Sequence, residues 1–178
     1  MTIRCKAILA IVFACFLSAP IVAQQRDALT DAETDALREV AQEPLKRLKL
    51  LIKFATERLD TVDRLKDEPK TVDRGKKLHD ALEDFRQIVD ELDDNIDDYQ
   101  QKQSDLRKPL TEVVTAESSF QLRLKAFKDW SEDPKHTFDY KLYSYALQDA
   151  LESVSLSLGD AKKTLDEQTA AYAAAKKK

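Results

Sequence analysis

The stretch that decides the fold is Leu78–Phe127, LHDALEDFRQIVDELDDNIDDYQQKQSDLRKPLTEVVTAESSFQLRLKAF. Placing Leu78 at heptad position d puts Phe85, Leu92, Tyr99, Leu106, Val113, Phe120 and Phe127 at the later d positions. The a positions between them read Leu82, Val89, Ile96, Gln103, Leu110, Glu117 and Leu124. Only Gln103 and Glu117 depart from an apolar or aromatic seam. A 3-4 spacing held this long is the signature of helices packed along a shared stripe.

The segment upstream keeps the same rhythm. Leu45, Leu48, Ile52, Ala55, Leu59 and Val62 continue it, and Leu37 and Val40 extend it toward the N-terminus. Leu50, Leu51 and Phe54 widen the apolar face, as expected of a helix that touches two neighbours. Thr30 followed three residues later by Glu33 forms a capping box at its start. Pro69 ends it, while Pro44 either kinks it or opens the first turn of its second half.

Downstream, the turn Asp133-Pro134 leads to Thr137 as the expected N-cap of a third segment. Its seam reads Leu147, Leu151, Val154, Leu158, Ala161, Leu165, Gln168 and Tyr172, with Lys176–Lys178 at the end that favours cations. The fold class is therefore all-α. The expected architecture is an elongated antiparallel coiled-coil bundle of three long helices, about 30–66, 72–130 and 137–175.

Pro109 falls inside the second helix. Because the seam keeps its phase through that point, one bent helix over 72–130, about 90 Å long at 1.5 Å per residue, is the favoured reading. The alternative makes Gln100–Lys108 a hairpin loop and the whole a four-helix up-down bundle. A hairpin near Pro69 would set Lys46, Arg47 and Lys49 beside Asp90, Glu91 and Asp93, fixing register by charge.

The N-terminus reads as an address rather than as structure. Arg4 and Lys6 precede the apolar run Ala7–Leu17, Ser18 and Pro20 break it, and Ala23 is small enough to precede a cleavage. This is the grammar of a secretory signal over 1–23. The run is much shorter than the roughly 20 residues that cross a bilayer. A lipoprotein reading at Cys15 fits poorly beside the bulky Phe13. Residues 24–178 would form one helical domain. Both cysteines, Cys5 and Cys15, would leave with the signal, so the mature chain would have no disulfide and no thiolate ligand. A periplasmic or secreted location in a bacterium is the expectation.

Composition narrows the function classes. The net charge is −4, and losing Arg4 and Lys6 takes it to −6, which disfavours nucleic acid and anionic lipid as partners. The acids Asp90, Glu91, Asp93, Asp94, Asp97 and Asp98 lie in helical register without a glycine turn, so they cannot wrap calcium as a helix-loop-helix site does. His79 and His136 lack the paired Glu-x-x-His spacing of a di-metal bundle. No phosphate-cradling glycine loop, Gly-x-Ser-x-Gly elbow or His-Glu-x-x-His pair occurs. The sequence predicts no enzyme, no metal and no cofactor.

The aromatics remain. Phe127 and Trp130 precede the last turn; Phe138, Tyr140, Tyr143 and Tyr145 follow it, so a hairpin gathers them at one end. They form either a plug or a contact patch, since Tyr and Trp favour interfaces. The three tyrosines cannot share one face, so at least one is expected outside. The expected partner contacts are Trp130, Tyr140, Tyr143, Tyr145 and Phe54, on a scaffold or interaction protein of the cell envelope. Self-association through the wide face at Phe54 is a further option. The competing expectation is a holdase chaperone gripping unfolded clients on Leu50, Leu51 and Phe54.

Overall fold

The computed structural model describes residues 27–176. Among them every regular element is helical. In chain order they are α1 (Asp31–Glu39), α2 (Pro44–Asp67), α3 (Arg74–Gln101), α4 (Arg107–Glu132), a 3₁₀ turn at Thr137–Asp139, and α5 (Tyr140–Ala175). The signal reading falls on residues 1–23, outside the described residues.

The helix expected over 30–66 is two helices. The capping box forms at its start: Glu33 N donates to Thr30 Oγ1, and Thr30 N donates to Glu33 Oε2 at 2.8 Å. Pro44 then takes the first position of α2, where its missing N–H costs nothing. Its ring drives Glu43 out of the helical region, to φ −117° and ψ 86°. The short α1 folds back along α2, held by Arg58 on Glu33 at 2.6 Å and by Arg47 Nη1 on the Leu37 carbonyl at 2.7 Å.

The continuous helix expected over 72–130 is likewise two, and the break is not at the proline. Helix α3 ends at Gln101, and Gln103 adopts a left-handed φ of 57°. Ser104 N then donates to the Tyr99 carbonyl and Gln103 N to the Gln100 carbonyl. That pair of bonds satisfies the orphan carbonyls of a helix end, with a glutamine where glycine is usual. Pro109 sits in the first turn of α4, where backbone N–H groups have no partner within the helix. Its ring is buried.

The four long helices alternate in direction. Helix α2 packs on α3 and α4, and α5 packs on the same two. Consecutive helices α3 and α4 thus lie across the bundle's diagonal. The α2–α3 and α4–α5 hairpins stand side by side in matching orientation, which a single offset reveals. Arg123 of α4 meets Asp60 and Asp63 of α2, Ser153 and Ser157 of α5 meet Asp90 and Asp93 of α3, and Arg74 meets Asp139, all 60 to 65 residues apart.

The seam is the core. Every d residue from Leu78 to Phe127 is buried, and so is every a residue except Gln103 in the turn. Phase survives the turn because both flanking helices aim their stripes at one core. Of the expected charge register, Arg47 meets Glu91 at 3.2 Å. Lys49 instead reaches Glu112 of α4, because a third helix stands against α2, and Lys46 pairs locally with Glu43 just before its helix. On α5 the buried face is Tyr143, Ala146, Leu147, Ala150, Val154, Ser157, Leu158 and Ala161. Leu151 and Leu165 are at its edge and Tyr172 is outside. Thr137 opens the 3₁₀ turn, and the N-cap of α5 is Asp139, whose carboxylate is taken by Arg74 rather than by the helix.

Candidate functional site

The end of the bundle formed by the α2–α3 and α4–α5 turns is built from rings. His136 stacks on Trp130 with centroids 4.3 Å apart, Trp130 stacks on Phe127 at 5.7 Å, and Phe127 stacks on Tyr143 at 5.6 Å. Tyr140 meets Tyr143 edge-on at 5.6 Å. Such pairs add roughly 0.5–1.5 kcal/mol each beyond the area they bury. The column runs from the half-buried His136 through the core at Phe127 and back to the half-buried Tyr140.

Polar contacts pin it in place. Tyr143 is fully buried, and its hydroxyl meets Ser131 Oγ at 3.1 Å; burial pushes its phenol up from the ordinary value. Tyr140 donates to Glu132 Oε1 at 3.2 Å at the rim. Arg74 grips Asp139 with two bonds of 2.7 and 2.8 Å, both side chains almost out of water. The Asp139 hydrogen bonds raise the arginine's pKa, and its guanidinium also lies 5.7 Å above the Trp130 ring. Gly75 makes this grip reachable: a Cβ there would come within 2.6 Å of Leu142 Cδ1 and 3.0 Å of Asp139 Cβ.

This end leaves several large apolar side chains outside. Phe138 is 101% exposed, Tyr145 79%, Val72 75% and Leu142 61%. The other large apolar side chains exposed among the described residues, Leu122, Leu156 and Tyr172, lie elsewhere on the helices. Beside Phe138 opens a cleft of about 460 Å³ lined by Lys66, Pro69, Arg74, Trp130, Lys135 and His136, among others.

Of the contacts expected from sequence, Tyr145 is outside, and Trp130 and Tyr140 are half-buried at the rim. Tyr143 and Phe54 are buried, so neither reaches a partner while the bundle is closed. Tyr143 turns inward because it occupies the α5 position facing Phe127 and Ser131. Phe54 is covered because α2 packs on both α3 and α4. Leu51 is covered with it. Phe138 is outside with Tyr145, and the exposed Val72 and Leu142 and the cleft residue Lys66 are ones that sequence reasoning did not single out. They sit in or next to turns, where periodicity carries no signal.

Among the described residues no three His, Cys, Asp or Glu side chains converge on a point that could hold a metal ion. The acidic stripe of α3 is spread among partners: Asp90 takes Arg86 and Ser153, Glu91 takes Arg47, and Asp98 takes Lys102. No described helix is long and apolar enough to cross a membrane. Compared with protein-family models, curated proteins and solved structures, the chain matches none.

Proposed function

We propose that this chain is a non-enzymatic helical interaction protein, exported to the bacterial cell envelope, that holds a protein partner at the aromatic end of its bundle. The observation that carries the reading is that Phe138, Tyr145, Val72 and Leu142, in or near the α2–α3 and α4–α5 turns, are all exposed on a fold whose seam is otherwise closed. Exposed apolar clusters rimmed by polar groups mark contact sites. Rigid aromatic anchors are the usual source of binding energy there. The stacked column behind them supports the patch at little cost in flexibility. Export rests on the pattern of residues 1–23. The holdase reading has less support, since Leu51 and Phe54, which would have gripped clients, face the core.

A photoreactive residue placed at Tyr145 of the full chain, in the bacterium that produces it, tests the proposal. A discrete adduct is expected from position 145 and not from Leu156, an exposed leucine further along the same helix. Equal adducts from both positions, or a smear of many partners at 145, would count against a dedicated contact surface.

A further inference from the structure

The one seam residue that should not be buried, Glu117, is 0% exposed. It projects from α4 toward α5 and meets Ser157, which is also fully buried. Ser157 Oγ is hydrogen-bonded to Glu117 Oε1 on one side and to Asp93 Oδ1 of α3, at 2.5 Å, on the other. The second carboxyl oxygen of Glu117, Oε2, is buried and meets no hydrogen-bond partner among the described residues.

A serine hydroxyl owns a single proton. Ser157 can give it to one carboxylate only, and a second ionised carboxylate at hydrogen-bond distance would turn lone pairs against lone pairs. One further proton resolves the conflict. With the Glu117 carboxyl protonated, its O–H donates to Ser157 Oγ and the serine proton goes on to Asp93. Glu117 is the better holder, because Asp93 lies at the edge of solvent while Glu117 has none. Protonation also makes Oε2 a neutral carbonyl oxygen, for which a missing partner is far less costly than for an ionised one.

The surroundings favour the same state. Asp93 of α3 sets its charge against ionisation of Glu117, while Asp90 and Asp97 of α3 and Asp160 of α5 act in the same direction on Asp93 itself. Lys162 of α5 is the cation whose charge favours the ionised form of Glu117. Helix α2, also packed on α4, has the apolar Phe54 and Ala55 in the core, and its Lys53 pairs with Glu57 at 3.7 Å.

We propose that Glu117, Ser157 and Asp93 form a proton site that is occupied at neutral pH, so that the bundle is firmest in mildly acidic surroundings and weakens as the pH rises toward the point at which the folded chain gives up that proton. The direction follows from linkage. Burial, the largest influence, raises the Glu117 carboxyl from an ordinary 4.5 to about 8. Between those values the folded chain keeps a proton that the unfolded chain releases to water. The folding equilibrium constant therefore falls by up to about tenfold per pH unit across that window, and the decline levels off once the folded chain ionises too. Asp93, raised to about 6 by burial and by the neighbouring aspartates, adds a drop of the same sign at lower pH.

Two measurements on the full chain test the site. Carbon NMR of the side-chain carboxyls should show one glutamate titrating near pH 8 in the wild type and missing in Glu117→Gln. Chemical denaturation of both proteins at several pH values from about 5 to about 9 supplies the second readout. The amide of the variant can donate to Ser157 as the protonated acid does. Its folding constant relative to wild type should then rise by roughly tenfold per pH unit up to about pH 8. A wild type whose glutamates all titrate below about pH 6, or a ratio that stays flat with pH, would overturn the proposal. If the variant does not fold, the wild-type titration decides alone.

Discussion

The two ends of the bundle are closed by different chemistry. At the α3–α4 turn the backbone is sewn shut with polar side chains. Gln168 of α5 accepts from Leu106 N at 2.8 Å and donates to the Ser104 carbonyl at 3.3 Å, and the Tyr99 hydroxyl donates to the Ala41 carbonyl at 2.7 Å. The one apolar ring left over there, Tyr172, lies under the Arg107 guanidinium at 3.5 Å. At the opposite end a column of stacked rings stands beside the polar contacts, and apolar side chains reach past it into water. An end that only had to be closed could have used the first solution twice. The contrast separates what closes the bundle from what is offered to a partner, and it can be probed residue by residue.

The largest effect is expected inside the aromatic column. Phe127 is buried between Trp130 and Tyr143, so Phe127→Ala leaves a cavity and cuts the column in two. Equilibrium denaturation should show a loss of about 3–5 kcal/mol. A loss below about 1 kcal/mol would mean that the rings are not a packed element of the fold.

The far end should respond in the other direction. Gln103 holds a left-handed backbone that an L side chain tolerates at a cost of about 1–2 kcal/mol. Glycine removes that strain and gives back part of the gain through its freer unfolded chain. Gln103→Gly should therefore raise stability by about 0.5–1 kcal/mol, read as a higher denaturation midpoint at unchanged slope. A lower midpoint would indicate that residues 99–104 do not close α3 with a left-handed residue.

The same positions mark how far the amino-acid sequence alone reaches. The seam is legible in full because burial repeats every three and four residues, and the capping box at Thr30 is legible because it is local. The end of α3 is not. Helix stops are signalled by glycine or asparagine, and here a glutamine takes the left-handed place while the heptad runs on. Even the preserved phase misleads, since two helices facing one core must both keep their stripes turned inward. Glu117 stands out in the seam, yet its partners Ser157 and Asp93 come from helices whose facing depends on the diagonal crossing of α3 to α4. At the aromatic end, sequence gathers the rings but does not sort them. Whether Tyr143 or Phe138 points inward depends on the 3₁₀ turn, and that turn is set by the grip of Arg74 on Asp139.

The smallest change in stability is expected from the residue on which the contact reading leans hardest. Phe138 is 101% exposed and takes part in none of the ring contacts of the column. Replacing it with serine removes nothing from the core, so Phe138→Ser should lie within about 0.5 kcal/mol of wild type by denaturation. With the photoreactive probe at Tyr145, the same variant should yield much less of the partner adduct. Unchanged stability with a lost adduct would divide this end into rings that hold the fold and rings that meet a partner. A loss of more than about 1 kcal/mol would place Phe138 within the packing and leave Val72, Leu142 and Tyr145 as the apolar surface available for contact.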